Sequence, residues 1–200
     1  MICIGCIYAS KGQSLGEKCP FCRTPYPDGD GEANAHLKKR AAANDPFSIR
    51  CIALERYGEE DYVESLKLFL KAASLGDIQS HHEAGFMYMD GEGAEVNMRK
   101  GNYHLEVAAI GGNASSRYAL GMYERNCGSY ERTMKHLIIA AKQGLEDALA
   151  KLKEGYVDGQ ISKDEFGEAL RAYQRAVETT KSPQREEGGR SRESLNVKQI

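Results

Sequence analysis

The stretch AGFMYMDGEGAEVNMRKGNYHLEVAAIGG, residues 84–112, contains two small-residue motifs that return elsewhere in the chain. The first motif is an Ala-Ala pair followed closely by glycine, and such pairs begin at Ala72, Ala108 and Ala140. The pairs are therefore 36 and 32 residues apart. A period of this size is typical of chains built from stacked two-helix repeats.

The second motif is a glycine ahead of the Ala-Ala pair. Gly85 precedes its pair by 23 residues and Gly121 precedes its pair by 19. Glycine weakens a helix interior by about 1 kcal/mol relative to alanine, so we expect a neighbouring helix to approach closely at both positions. A further glycine closes each unit and suits the left-handed position after a helix end: Gly76, Gly111 or Gly112, and Gly144.

The first and third units align without gaps, so that Tyr62 matches Tyr130 and Phe69 matches Leu137. The middle unit carries four extra residues within DGEGAEVN, residues 90–97. After the third unit the Ala-Ala close is missing, as expected for the unit that caps an array of repeats. In that unit the spacing Ser-x-x-Glu predicts a capping box at the start of a helix.

The chain therefore divides into segments of different character. A helix is expected over about residues 32–43, because it must stop before Pro46. The polar, mixed-charge end of the chain is predicted to be disordered. The predicted segments are a Cys-rich segment at 1–27, a linker and helix at 28–44, repeats at about 45–76, 77–112 and 113–144, a degenerate cap at 145–181 and a disordered tail at 182–200.

The composition argues against several classes of partner. A net charge of −2 gives no general attraction to nucleic acid or to anionic membranes. No apolar run approaches the roughly 18 residues that a membrane span needs. We therefore expect no nucleic-acid partner and no membrane. The first residues make a poor signal peptide, which predicts an intracellular, cytoplasmic protein whose thiols stay reduced.

The repeat unit resembles the Sel-one-like repeat, a relative of the tetratricopeptide repeat. The middle unit follows that family's pattern of small residues, tyrosine and glycine, and departs from it at Ala84, Ala94, Asn97 and Gly101. The resemblance covers about residues 45–144. It implies an all-α fold, a short right-handed solenoid of helix-turn-helix repeats, whose curved face binds other proteins or peptides without catalysis.

Four of the six cysteines lie near the start of the chain, as Cys3, Cys6, Cys19 and Cys22. Two Cys-x-x-Cys pairs separated by twelve residues are within reach of one tetrahedral zinc site. Two interpretations stay open: all four thiolates hold one Zn²⁺, or the segment is half of a finger that binds zinc weakly. A redox dithiol needs a strand–helix setting that the sequence does not show.

The same segment resembles the second half of a RING-type zinc finger. Cys3 and Cys6 match the fifth and sixth ligands of that family, and Cys19 and Cys22 match the last two. Arg23 falls where many RING ubiquitin ligases contact the bound ubiquitin conjugate. The first four ligands would precede Cys3, so the resemblance implies a truncated finger, with an upstream Cys-rich extension as a hypothesis. It also implies a ubiquitin-conjugating enzyme as a further partner.

The remaining candidate residues have structural interpretations. Histidines on the predicted helices are expected on solvent-exposed faces: His81, His82, His104 and His136. Cysteines outside the N-terminal segment are expected to pack as small apolar groups: Cys51 and Cys127. Three tyrosines are expected to fill space between helices in preference to contacting a partner: Tyr62, Tyr88 and Tyr123.

Two functions follow from the sequence. The main interpretation is a non-catalytic interaction scaffold built of helical repeats, with a small zinc-finger-like segment ahead of them. The alternative is a RING-type ubiquitin transferase, or a fragment of one, whose repeats recruit the substrate. Only partial motifs support a calcium- or thiol-dependent enzyme. The residues near Glu165 resemble part of a calcium-binding loop, and a capped helix turn explains them equally well.

Overall fold

The computed structural model describes residues 30–180, and every regular element in that range is an α-helix. The helices are α1 (Asp30–Ala42), α2 (Pro46–Gly58), α3 (Tyr62–Ser74), α4 (Ile78–Asp90), α5 (Met98–Ile110), α6 (Ala114–Asn126), α7 (Tyr130–Lys142), α8 (Glu146–Val157) and α9 (Lys163–Thr180). The predicted all-α array of helix-turn-helix repeats is confirmed, and its right-handed sense stays a prediction. The Cys-rich segment and the predicted disordered tail lie outside the described residues.

Short polar side chains begin most of the helices. The residue before each of α2 to α6 accepts a hydrogen bond from the backbone N–H three positions later, at 2.8–3.2 Å: Asp45, Asp61, Asp77, Asn97 and Asn113. Such a cap satisfies a backbone donor that the helix leaves free, and contributes about 1 kcal/mol. Helix α9 begins with the predicted capping box, in which the Ser162 and Glu165 backbone N–H groups each donate to the other's side chain.

Glycine in the left-handed conformation follows the second helix of each repeat. Gly76, Gly112 and Gly144 have φ angles of +92°, +93° and +91°. The sequence left Gly111 and Gly112 as alternatives, and the structure selects Gly112, because Gly111 has a φ of −69°. These glycines end one repeat and direct the chain into the next.

The two helices of each repeat approach closely where both carry small residues. A Cβ added to Gly85 in α4 would lie 2.8 Å from the side chain of Leu105 and 3.2 Å from the carbonyl oxygen of Gly101 in α5. In the first repeat the corresponding pair is Ala53 and Ser65, and the Ser65 hydroxyl donates to the Ala53 carbonyl at 2.9 Å. The close approach expected from the sequence is therefore confirmed.

Packing proceeds from each helix to the next along the chain. The closest pairs are α2 with α3, α4 with α5, and α6 with α7. The first alanine of each Ala-Ala pair is fully buried, at Ala72, Ala108 and Ala140. Helix α9 packs against α7 as well as α8, so the last helix pair covers the end of the array.

The four extra residues of the middle repeat lengthen one connection. Residues 91–97 join α4 to α5, whereas three residues make the same connection in the first and third repeats. Within this loop Gly93 has a φ of +76°, and a side chain there would collide with the backbone of Tyr62. The insertion therefore lies against the start of α3 and joins the second repeat to the first.

Candidate interaction groove and histidine contacts

An open groove of about 460 Å³ lies between α4 and α6 and is completed by the beginnings of α5 and α8. Its apolar lining is Phe86, Met89, Met98, Tyr118, Ala119, Met122, Tyr123 and Leu145. Its polar lining is His82, Ser115, Asn126 and Asp147. We call this surface the α4–α6 groove. Its volume and its mainly apolar lining with a few polar groups are typical of binding sites.

Methionine is concentrated in the α4–α6 groove. Three of the six methionines of the chain, Met89, Met98 and Met122, line it. Methionine side chains are flexible and polarisable, and therefore adapt to partners of different shape. Phe86 is 37% exposed and Met98 is 42% exposed. Both side chains therefore leave apolar surface in the groove open to contact.

The groove belongs to a stripe that repeats along the first helix of each unit. Leu54, Phe86 and Met122 each lie nine residues after the N-cap of α2, α4 and α6. The equivalent position in α8 is Glu154. The apolar stripe therefore ends at the capping unit, where a carboxylate replaces the apolar side chain.

His82 forms part of the groove wall and joins two repeats. Its Nδ1 lies 2.7 Å from the hydroxyl oxygen of Ser116 in the next repeat, and its ring meets Phe86 edge-on at 4.9 Å between centroids. Burial lowers the pKa of His82, so the ring is neutral at neutral pH. A neutral ring keeps the groove free of positive charge on this wall.

The same helix position joins each repeat to the following one. Arg50, equivalent to His82 in the first repeat, pairs with Asp77 at 3.0 Å across the boundary to the second. Tyr118, the equivalent in the third repeat, packs against the apolar cluster that the third repeat shares with the capping unit. Three different contacts, an ion pair, a hydrogen bond and an apolar contact, thus join each repeat to the following one at this helix position.

A second histidine contact lies within the middle repeat. Nδ1 of His81 in α4 lies 2.9 Å from Nδ1 of His104 in α5. The His104 ring stacks on Tyr88 at 5.7 Å, and the Lys100 ammonium lies 5.1 Å from the centre of the Tyr88 ring. Burial, His81 and Lys100 together lower the pKa of His104 to about 4. Both rings are therefore neutral at physiological pH, since burial also lowers the pKa of His81.

The prediction that the four histidines occupy exposed faces is wrong. His81, His82, His104 and His136 are all half-buried at contacts between helices. A sequence signal existed in the repeat alignment: the first repeat has Ile49 where the second has His81, and Ile49 is fully buried. A helix position that lies at a helix contact in one repeat lies at the same contact in the next repeat, whichever side chain it carries.

The tyrosine prediction holds for two of its three residues. Tyr88 is 8% exposed in the apolar core of the first two repeats, and Tyr62 packs against the same core. Tyr123 instead lines the α4–α6 groove. It lies one residue after Met122, and its side chain is half-buried.

The cysteine prediction holds for one of its two residues. Cys51 is half-buried, and burial raises the pKa of its thiol. Cys127 is exposed, so the prediction that it packs as a small apolar group is wrong. The reason is its position, because Cys127 is the C-cap residue that follows α6 and points away from the helix contacts.

The predicted zinc ligands and the predicted ubiquitin-conjugate contact lie outside the described residues: Cys3, Cys6, Cys19, Cys22 and Arg23. Between residues 30 and 180, no three His, Cys, Asp or Glu side chains gather closely enough to hold a metal ion. Among the helices of the same range, none combines the length and the apolar character needed to cross a membrane.

Comparison with known proteins identifies a relative of this chain. No family model matches the sequence. A protein of Acanthamoeba polyphaga mimivirus described as sel1-like repeat-containing is 28% identical over 113 residues, which are 56% of this chain and 21% of that protein. The chain thus spans about a fifth of the length of the curated relative that it matches.

Two solved structures have the same fold. The Sel1 repeat protein from Oxalobacter formigenes superposes with a TM-score of 0.61 at 22% identity, over 72% of this chain and 64% of that one. A protective antigen of uropathogenic Escherichia coli that displays an SLR fold gives 0.60 at 23% identity, over 74% of this chain and 33% of that one. The chain therefore has the helical-repeat fold of Sel1-like proteins, as the repeat pattern predicted.

Proposed function

We propose that this chain is a non-catalytic scaffold that binds partner proteins, and that the α4–α6 groove receives an apolar segment of the partner. The observation that carries the proposal is the partly exposed, methionine-rich lining of that groove. The Sel1-like fold supports it, because a row of first helices presents equivalent positions as one continuous surface.

A specific complex at this groove requires several apolar anchors from the partner. Burial of one Leu, Met or Phe side chain contributes about 1.5–3 kcal/mol. Association itself costs at least about 4 kcal/mol, so two or three such anchors are needed. A partner segment with several large apolar side chains on one face, such as an amphipathic helix, meets this requirement.

The test uses a random twelve-residue peptide library displayed on phage. Selection against the purified full chain is expected to enrich peptides with two or more large apolar residues. Synthetic copies of these peptides should bind the chain in fluorescence anisotropy, and Met122→Lys should weaken that binding at least about tenfold, since a buried ammonium is costly.

A matched control places the same charge outside the groove. Ile110 is 81% exposed at the end of α5, so Ile110→Lys should leave peptide binding unchanged. Circular dichroism establishes that both variants are folded. Enriched peptides that bind Met122→Lys as tightly as the unchanged protein would place the binding surface elsewhere and overturn the proposal.

We also propose a zinc site at Cys3, Cys6, Cys19 and Cys22, supported by the spacing of the two Cys-x-x-Cys pairs. An intracellular setting, where thiols stay reduced, suits this chemistry. Elemental analysis should find one Zn²⁺ per chain, and none in Cys19→Ser/Cys22→Ser.

If zinc is found, an assay for ubiquitin transfer with a ubiquitin-conjugating enzyme tests the RING alternative, and Arg23→Ala tests the predicted contact.

A further inference from the structure

One carboxylate in the wall of the α4–α6 groove has no partner of its own. Asp147, in the first turn of α8, lines the groove and is exposed. It takes part in no ion pair or side-chain hydrogen bond between residues 30 and 180. We propose that the partner segment carries an arginine beside its apolar anchors and that Asp147 binds this arginine, an inference that rests on the function proposed above for the groove.

The charge of the groove lining comes from Asp147. Of the other polar residues in the described lining, Ser115 and Asn126 are neutral. Burial lowers the pKa of His82, so this ring is neutral at neutral pH. The lining therefore carries a single negative charge between mainly apolar walls, where a charge acts on a ligand more strongly than it does in open water.

Lysine and arginine side chains of the surrounding helices do not neutralise this charge. Helix α4 carries neither residue type. In α8 the Lys151 ammonium binds Glu154 at 2.9 Å, and in α6 Arg117 donates to a backbone carbonyl of α5. At the start of α5 the Lys100 ammonium lies over the Tyr88 ring. The remaining cations of these helices are exposed and lie outside the groove lining: Arg99, Arg125 and Lys153.

The start of α8 attracts a cation in spite of the helix dipole. Its first backbone N–H groups act as about half a positive charge and by themselves favour an anion. No side chain caps them, but Glu146 and Asp147 place two negative charges in the same turn. The sum is negative, so a cationic side chain of the partner is attracted here. Of these two carboxylates, Asp147 alone lines the groove, so Glu146 can serve as its control.

Arginine suits this end of the groove better than lysine. Tyr118 lines the groove together with Asp147, and it packs against the same apolar cluster as Leu145, two residues before Asp147. A guanidinium donates two parallel hydrogen bonds to one carboxylate and stacks on an aromatic ring, whereas an ammonium acts as a point charge. A carboxylate and a tyrosine ring at one end of the groove therefore favour arginine.

The ion pair is expected to select the partner more than to hold it. Asp147 stays in contact with solvent, and an exposed ion pair changes affinity by about fivefold at most. Such a charge mainly speeds the encounter, fixes the register of the ligand and penalises a like charge. The apolar anchors at Phe86 and Met122 supply most of the affinity, and the arginine determines which apolar segments bind.

The test uses the peptides selected on phage against the full chain. We expect arginine beside their apolar anchors more often than in the unselected library. In fluorescence anisotropy at physiological ionic strength, Asp147→Asn should weaken their binding about three- to fivefold, and Asp147→Lys at least about tenfold. Replacing the peptide's arginine by glutamine should weaken binding to the unchanged chain by a similar factor, and should have no further effect on Asp147→Asn. Replacing it by glutamate should restore binding to Asp147→Lys.

Glu146→Lys is the matched control, because it makes the same change of charge in the same turn, outside the groove lining. Since salt screens charges that are not in contact, it should weaken binding by no more than about twofold. Circular dichroism establishes that all variants are folded. An equal loss of binding in Glu146→Lys and Asp147→Lys would overturn the arginine pair.

The outcomes separate the arginine pair from the groove itself. Peptides that Met122→Lys weakens, but that bind both Asp147 variants as tightly as the unchanged chain, would overturn the pair and leave the proposed function standing. Peptides indifferent to Met122→Lys would overturn both. A dimer in sedimentation that Met122→Lys dissociates would make a second copy of this chain the occupant, and would also overturn the pair.

Discussion

At the scale of single residues, the absence of a side chain determines how closely the helices approach. Gly85 and Gly101 face each other between α4 and α5. Gly101 departs from the alanine that the resembled repeat family has there, and the structure gives the reason. A Cβ at Gly101 would lie 2.9 Å from the Gly85 carbonyl oxygen, which is closer than real Cβ atoms approach.

We predict that Gly101→Ala destabilises the chain by about 1–2 kcal/mol. Overpacking against a backbone atom costs about 1–3 kcal/mol, and the better helix propensity of alanine returns up to about 1 kcal/mol. Urea denaturation at pH 7.5 measures the difference. The control is Gly58→Ala, because a Cβ at Gly58 meets open space. A Gly101→Ala protein as stable as the Gly58→Ala protein would contradict this account.

The sequence could not predict which apolar residues line the α4–α6 groove. Phe86 and Met122 carry ordinary apolar side chains, and most apolar residues of a repeat helix are buried. The exposure of Phe86 and the partial exposure of Met122 follow from the positions of α4 and α6, which pack on α5 and α7. The repeat spacing could locate these residues on a helix, but not on an open groove.

At the scale of elements, local chemistry determines where most of the helices begin. Five successive N-caps are Asp or Asn, and their hydrogen bonds are made within four residues of sequence. Among the helices whose N-cap residue is described, α7 and α8 begin without a side-chain cap, after Ser129 and Leu145. These helices depend on tertiary packing for the position of their first turn.

We predict that Asn97→Ala lowers the free energy of unfolding by about 1 kcal/mol, because the Lys100 N–H loses its acceptor. Ser129→Ala is the matched control, since the Ser129 side chain makes no cap hydrogen bond. Its effect should stay within about 0.5 kcal/mol. Thermal unfolding followed by circular dichroism distinguishes the two. Equal losses would mean that the Asn97 cap contributes nothing specific.

At the scale of the whole molecule, histidines make contacts within and between repeats. His81 meets His104 within the second repeat, and His82 meets Ser116 across the boundary to the third. Burial lowers the pKa of each of these histidines and of His136. The folded chain therefore binds fewer protons at these sites than the unfolded chain does.

We predict that acid weakens the array in a defined range of pH. An unfolded histidine takes up its proton near pH 6.5, and His104 in the fold does so only near pH 4. The stabilising contribution is thus complete above pH 6.5 and is lost as the pH falls toward 4. Partial exposure reduces the effect, and we expect the free energy of unfolding at pH 5 to be about 1–2 kcal/mol lower than at pH 7.5.

The control for this prediction copies the first repeat into the second. His81→Ile/His104→Leu introduces the residues that the first repeat has at the equivalent positions, Ile49 and Leu68, and should reduce the dependence of stability on pH between 7.5 and 5, with His82 and His136 left to account for the remainder. Urea titrations at both pH values measure it. The pKa of the Asp45 carboxylate is lowered in the fold. Its stabilising contribution is therefore lost only below its ordinary pKa near 4, which lies outside this pH range. An unchanged pH dependence in the double variant would show that other groups cause it.

The sequence by itself determined the repeat period, the glycines that close the repeats, the capping box of α9 and the positions of close approach. These depend on contacts within a few residues of the chain, or on small side chains that recur at fixed spacing, and both are visible in the letters. The tertiary structure alone decided that His81 meets His104, 23 residues away, and that His82 meets Ser116, 34 residues away. It also decided that the apolar stripe opens into a groove between α4 and α6. Such contacts depend on the distance and angle between packed helices, which no local pattern of residues specifies.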